Sequence, residues 1–238
     1  MKPTPFGLAY ALLLASAVPA TAATITVNSQ MASTTVAGNV DNTPPTQQNL
    51  PNSGSINATA NPLTQTDLGG GSWEFNGISF ANISAVRGGS GTNSDVVASA
   101  QVTYSIAFSL GVGESANVIL DLGYSLSEAG LNGSLSWNFN GPGGSITGIS
   151  GSVGNAATNQ SLLNQNITQQ QVAISAPGNY TFNLTANMPS QTTNKSQSVS
   201  VALNSVDFKI NSVPEPRLPV LAIGSLGILL LCRRRNLA

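Results

Sequence analysis

The sequence contains no histidine and a single cysteine. Without histidine there is no Ser-His-Asp or Cys-His catalytic arrangement and no imidazole ligand for a metal. One cysteine cannot form a disulfide framework. Cys232 lies inside a C-terminal apolar run and reads as one more small hydrophobe there. Charge is scarce as well: Asp, Glu, Lys and Arg make up 7% of the 238 residues, against about a quarter in an ordinary soluble domain. Hydrophobic residues stand at 41%, so the shortage of charge does not signal disorder, which needs low hydrophobicity and high net charge. Ser, Thr, Asn, Gln and Gly fill the place of the missing charges, a composition suited to an extracytoplasmic β-protein.

The formal net charge of −1 conceals an asymmetry. Lys2, Arg217, Arg233, Arg234 and Arg235 sit near the ends. The body keeps only Arg87, Lys195 and Lys209, facing nine acids. Three scattered cations make no basic stripe for a phosphate backbone, so no nucleic-acid partner is expected.

Both ends read as handling signals. Lys2, an apolar run from Phe6 to Val18 and the small residues Ala20-Thr21-Ala22 are the parts of a secretory signal peptide over residues 1–22, cleaved after Ala22. About a dozen apolar residues are too few to span a bilayer of roughly 30 Å, which argues against an uncleaved anchor. At the other end, Val213-Pro214-Glu215-Pro216 cannot continue a strand, because each proline lacks an N–H and holds its predecessor extended. An apolar run from Val220 to Cys232 follows and is expected to form a membrane helix. Arg233-Arg234-Arg235 then stay cytoplasmic by the positive-inside rule, which puts the body on the far side.

In this order and position, these residues resemble the PEP-CTERM sorting signal of exopolysaccharide-producing Gram-negative bacteria. The resemblance covers residues 213–238 and nothing upstream. It implies that Pro214-Glu215-Pro216 is a recognition motif and that Arg233 to Arg235 form the basic stop. It further implies an exosortase-like processing enzyme as partner and a transient stay in the inner membrane. The final location would be the outer surface or the extracellular matrix, with exopolysaccharide as a further partner. Arg217-Leu218-Pro219 departs from the small or apolar residues expected at that point.

Between the ends, residues 23–61 are rich in Thr, Asn, Gln and Pro and read as an arm or loop, with a first strand over Ala23–Val27. Over residues 62–212 period-2 alternation dominates. Val102, Tyr104, Ile106, Phe108 and Leu110 alternate with polar or small residues; so do Val118 to Leu126, Leu135 to Phe139, and Tyr180 to Met188. In the last run the phase slips between Val199-Val201-Leu203 and Val206-Phe208-Ile210, which predicts a β-bulge near Asn204-Ser205. Trp73, Phe75, Ile78 and Phe80 suggest a hairpin around Asn76-Gly77. From Asn155 to Gln171 the near-helical spacing of Leu162, Leu163 and Ile167 leaves helix, loop and strand open. The fold class expected is all-β, an antiparallel β-sandwich of the jelly-roll-like or immunoglobulin-like kind. An exposed sheet edge in so charge-poor a chain is a route to self-association, since few lysines guard it.

No catalytic residue, metal site or cofactor is expected. The glycine clusters Gly69-Gly70-Gly71 and Gly88-Gly89-Ser90-Gly91 lack the lysine or helix that phosphate binding needs. The acids Glu74, Glu114, Asp121 and Glu128 read as solvated turn or face residues rather than a glycosidase pair. Trp137 falls in phase with Leu135 and Phe139 and belongs to the core; Trp73 is the candidate glycan contact. The sequence therefore points to a non-enzymatic surface or matrix protein, structural or adhesive in a biofilm. A carbohydrate-binding module for exopolysaccharide is the alternative, and a hydrolase the third reading.

Overall fold

Alternation along the strands creates the core. In β6 (Ser99–Leu110) the side chains of Ala100, Val102, Tyr104, Ile106, Phe108 and Leu110 are buried, while their neighbours face outward. The same rule sorts β7 (Ser115–Ala129), β8 (Ser134–Gly141), β12 (Gly178–Met188) and β14 (Gln197–Val213). The structure, a computed structural model, describes residues 25–37, 54–87, 95–97, 99–154, 160–189, 191–193 and 197–213. The signal-peptide residues, including Ala20 and Ala22, and the tail from Pro214 to the end lie outside the described residues.

Two six-stranded antiparallel sheets enclose the buried faces. Sheet I has the order β1-β6-β12-β8-β10, with β1 at Thr26–Ala37, β10 at Gly151–Gly154, and β9 (Gly144–Ser145) also paired to β8. Sheet II has the order β11-β7-β14-β4-β2, with β2 at Gly54–Ala60, β4 at Ser72–Arg87, β11 at Ser161–Ile174, and β3 (Thr64–Gly69) also paired to β4. A small ribbon joins β5 (Asp95–Val97) to β13 (Gln191–Thr193). Sheets with one apolar face each and a shared aromatic core make a β-sandwich. Phe208 of sheet II stacks on Phe182 of sheet I with centroids 4.4 Å apart, and Phe139, Phe108 and Tyr180 extend the cluster.

The phase slip in β14 is a bulge. Against β7, Leu203 opposes Tyr124 and Ser205 opposes Gly123, so Asn204 is the extra residue. Against β4, the same step opposes Ala81 to Ile78, so β4 absorbs one residue more, with Ser79 at φ 49°. That second irregularity corrects the hairpin expected at Asn76-Gly77. Both residues lie inside β4, opposite Asp207 and Val206. The change of phase between Phe75 and Phe80 comes from the bulge, not from a turn. The chain reverses instead at Gly69-Gly70-Gly71, all at positive φ, where the Gly69 N–H donates to Asp67 Oδ1 at 2.8 Å.

One more expectation changes, and an open one is decided. The stretch read as an arm contributes two edge strands: β1 runs far past Val27, and β2 adds to the outer side of β4. An edge strand needs backbone partners more than apolar side chains, so its polar composition looked like a loop. Residues 161–174 form a strand, β11, with two bulges at Asn164 and Gln169, both at positive φ near 50°. Each bulge adds one residue to the strand repeat. Leu162, Ile167 and Val172 therefore all pack on the core at five-residue spacing, and the apparent helical period has this origin.

Candidate functional site

The outer face of sheet II carries the densest group of charges among the described residues. β4 presents Glu74, β14 presents Asp207 and Lys209, and β7 presents Asp121 directly opposite Asp207. Lys209 Nζ lies 3.0 Å from Glu74 Oε1 and also bonds Asp207. Hydrogen bonding to Asp207 and then to Glu74 raises the ammonium above its ordinary value, more than burial lowers it. Asn76 Nδ2 donates to Glu74 Oε2 at 3.4 Å, and the backbone N–H of Gln169 donates to Asp121 Oδ1 at 2.6 Å, pinning the second bulge of β11. Beside this group is a shallow cleft of about 340 Å³ lined by Glu74, Asn76, Ile78, Asp121, Ser205 and Asp207.

The other carboxylates singled out from the sequence also have structural tasks. Glu114 Oε2 accepts the Gly111 N–H at 2.6 Å and closes the turn between β6 and β7. Glu128 was expected to be solvated; it is instead 4% exposed, and its Oε1 accepts the Gly133 N–H at 2.6 Å. It continues the inward row of Leu126, so alternation within β7 puts it inside, and the glycine-rich loop after the strand folds over it. None of these acids is brought to a second one across an open cleft except at the Glu74–Asp207–Asp121 group, where Lys209 lies between two of the three. Among the described residues no set of three acidic, histidine or cysteine side chains is arranged to hold a metal ion.

Removing the cation tests this arrangement. Lys209→Met should cost about 1 kcal/mol at pH 7, the scale of a partly exposed ion pair, measured as a lower urea midpoint. A raised lysine pKa contributes stability below the unfolded value and loses it as pH climbs through the folded one. The gap between Lys209→Met and the parent should therefore narrow above about pH 10.5. A variant as stable as the parent at pH 7 would remove the ion group from the account of sheet II.

Of the two tryptophans, Trp137 takes the core position its phase predicted. Trp137 is 5% exposed, and its indole N–H donates to Gln170 Oε1 at 3.2 Å. Trp73 is half-buried against the core and spends its N–H on the Ile25 carbonyl at 3.1 Å. A second depression of about 350 Å³ opens at one end of the sandwich between Pro142, Ile146, Ile174 and Tyr180, whose hydroxyl donates to the Ala176 carbonyl at 2.6 Å. Of the sorting motif, Val213 alone is described: it closes β14, opposite Ser115, and its carbonyl accepts the Ser115 hydroxyl at 3.3 Å. Among the described residues no helix is long and apolar enough to cross a membrane.

Sequence reasoning missed the outer face of sheet I. None of its six strands contains Asp, Glu, Lys or Arg. That pattern is latent in the sequence but needs the strand order to become a surface.

No family model matches the chain, and no curated protein does. Two solved structures show a distant likeness. A carbohydrate-binding module, TmCBM61 in complex with β-1,4-galactotriose, is 9% identical and aligns over 67% of this chain and 88% of its own, with a TM-score of 0.21. A structure of the infectious bursal disease virus Gx strain is 13% identical over 83% of this chain and 63% of that one, with a TM-score of 0.22. At those scores neither ligand nor role carries over.

Proposed function

We propose that this chain is an exported, non-enzymatic surface or extracellular-matrix protein, structural or adhesive in a polysaccharide setting. A PEP-CTERM-like tail, Val213-Pro214-Glu215-Pro216 with Arg233 to Arg235, sorts it through an exosortase-like enzyme. The observation that carries the non-enzymatic part is the use made of its carboxylates. Glu74 and Asp207 share Lys209, Asp121 pins a bulge, Glu114 closes a turn and Glu128 is buried. Among the described residues no carboxylate pair is left facing a cleft without a cation for acid–base chemistry of the glycosidase kind.

The sandwich itself we assign to the jelly-roll type. Its support is the strand order. Taken in sequence, β4, β6, β7, β8, β10, β11, β12 and β14 are eight strands; in sheet II they lie in the order first, eighth, third, sixth, and in sheet I second, seventh, fourth, fifth. The chain crosses from one sheet to the other at every step but one. A signal peptide over residues 1–22 and a C-terminal apolar helix complete the precursor.

Intact mass and fractionation of the chain in a host that has its own exosortase test the sorting reading. The expected species starts near Ala23, ends near Pro216 and is found outside the inner membrane; Glu215→Ala should leave the precursor in the membrane. Processing and location unchanged in Glu215→Ala would sink it. A carbohydrate-binding module for exopolysaccharide is the second reading, favoured by Trp73, a tryptophan only partly buried at the start of β4. Glycan binding that disappears in Trp73→Ala would support that version.

A further inference from the structure

We infer that the outer face of sheet I is an adhesion surface for an uncharged, hydroxyl-rich polysaccharide. This rests on the adhesive reading above and goes further, naming the face and the ligand's charge. Every Asp, Glu, Lys and Arg among the described residues lies on sheet II, on β5 or in the turn between β6 and β7. The outward positions of the inner strands β6, β8 and β12 are Ser, Thr, Asn and Gln, with Ala107 on β6 the exception. Thr103 stands opposite Thr185, Ser105 opposite Asn183, and Asn183 in turn opposite Asn138. Among the described side chains of these strands, Met31 on the edge strand β1 is the one large exposed hydrophobic.

Each alternative ligand lacks what it would need. An anionic polysaccharide would find no cation on this face, and a cationic one no carboxylate. An apolar partner would find no contiguous hydrophobic patch. A neutral polyol meets hydroxyls and amides that can both donate and accept, and desolvating those costs far less than desolvating ions. Donors and acceptors repeat about every 4.8 Å between strands and about every 7 Å along them, as the pleat dictates.

The side chains are also held in place before any contact. Asn28 Nδ2 donates to Ser109 Oγ at 2.7 Å, and Ser109 Oγ donates to Asn179 Oδ1 at 3.0 Å, a chain across β1, β6 and β12. Asn183 Nδ2 donates to Asn138 Oδ1 at 3.2 Å and links β12 to β8. Ordering that is already present need not be supplied on binding. With no aromatic ring on the face, affinity comes from repetition along the polymer rather than from one stacked sugar.

The test is retention of the full-length protein, in detergent, on insoluble gels. Cellulose, β-1,3-glucan and starch serve as neutral probes; polygalacturonate and alginate as anionic ones. We expect retention on a neutral gel that changes less than two-fold between low and high salt. Thr181→Lys with Ser136→Lys, two outward positions that do not oppose each other, should reduce it at least ten-fold. Ser200→Lys on the outer face of sheet II should not. The salt measurement on the unaltered chain keeps the test decisive should the double variant fold poorly. Retention on a neutral gel that vanishes in Trp73→Ala but survives the sheet I variant would overturn the assigned face and leave adhesion standing. Salt-sensitive retention on the anionic gels alone would overturn the ligand class in the same way. No retention on any gel would overturn the adhesive reading with it. A dimer in sedimentation velocity that Thr181→Lys with Ser136→Lys dissociates would make the face an interface between copies instead.

Discussion

Phe208→Ala should destabilise the protein by about 3–5 kcal/mol, the range for deleting a large buried aromatic. That is a large part of the roughly 5–15 kcal/mol that separates folded from unfolded states. The reason is position. Phe208 is fully buried on the central strand of sheet II, stacks on Phe182 at 4.4 Å and 17°, and meets Phe139 edge-on at 6.3 Å. It also touches Phe75 on its own sheet. Alanine would leave a void between the two sheets, lined by rings that β-strands hold too firmly to close it. At about 2–4 °C per kcal/mol for a domain of this size, the thermal midpoint should fall by about 6–20 °C. Ile78→Ala, at a position 86% exposed on the neighbouring strand, should stay within about 0.5 kcal/mol. A loss below about 1 kcal/mol for Phe208→Ala would mean that the sheets do not face each other through this ring.

Stability should also fall steeply above pH 10, and Tyr104 should be the main cause. Its hydroxyl is buried and lies 2.7 Å from both the Asn61 and Phe80 carbonyls. Burial pushes its pKa up to about 12, and the hydrogen bond to Asn61 offsets part of that. A raised tyrosine pKa means that the folded protein keeps a proton the unfolded chain releases. The associated stability is complete below pH 10 and is lost as pH rises through 12. About two units at 1.36 kcal/mol each amount to about 3 kcal/mol. Tyr180, raised by burial as well, and Lys209 act in the same direction. Tyr104→Phe should therefore lose about 1 kcal/mol at pH 7 with the hydrogen bond, yet lose less than the parent between pH 10 and 12. Urea midpoints across that range measure it. Parallel curves for parent and variant would remove Tyr104 as the source.

The fold was legible where one face of a strand is buried and the other is not. Val102 to Leu110 and Tyr180 to Met188 announce their faces residue by residue, and the slip at Asn204 announces its bulge. Reading failed where backbone irregularity broke the period without a glycine to mark it. Ser79, Asn164 and Gln169 sit at positive φ and shift the count by one, which made a long strand look like a hairpin and left a bulged strand open between strand, helix and loop. Strands at sheet edges were obscured for a different reason: β1 and β2 bury little of their own, so composition alone marks them as loop. Of the candidate site, Trp137 was legible from phase. Glu128 was not, because a charge in an inward row reads as a surface residue until the loop that covers it is seen. The uncharged face of sheet I required knowing which strands are neighbours, and no local window contains that.

The double bulge of β11 bears on whether this edge can recruit another strand. A straight outer strand offers an unbroken row of amides and carbonyls to any stray strand, and most proteins place lysines there to repel it. Ser161–Ile174 has no lysine, but its ladder changes register twice within fourteen residues. A second strand approaching that rim finds its hydrogen bonds out of step after a few residues. Salt screens charge and pH can discharge it, whereas a kinked backbone is indifferent to both, so this edge remains guarded in brine, acid or a concentrated gel.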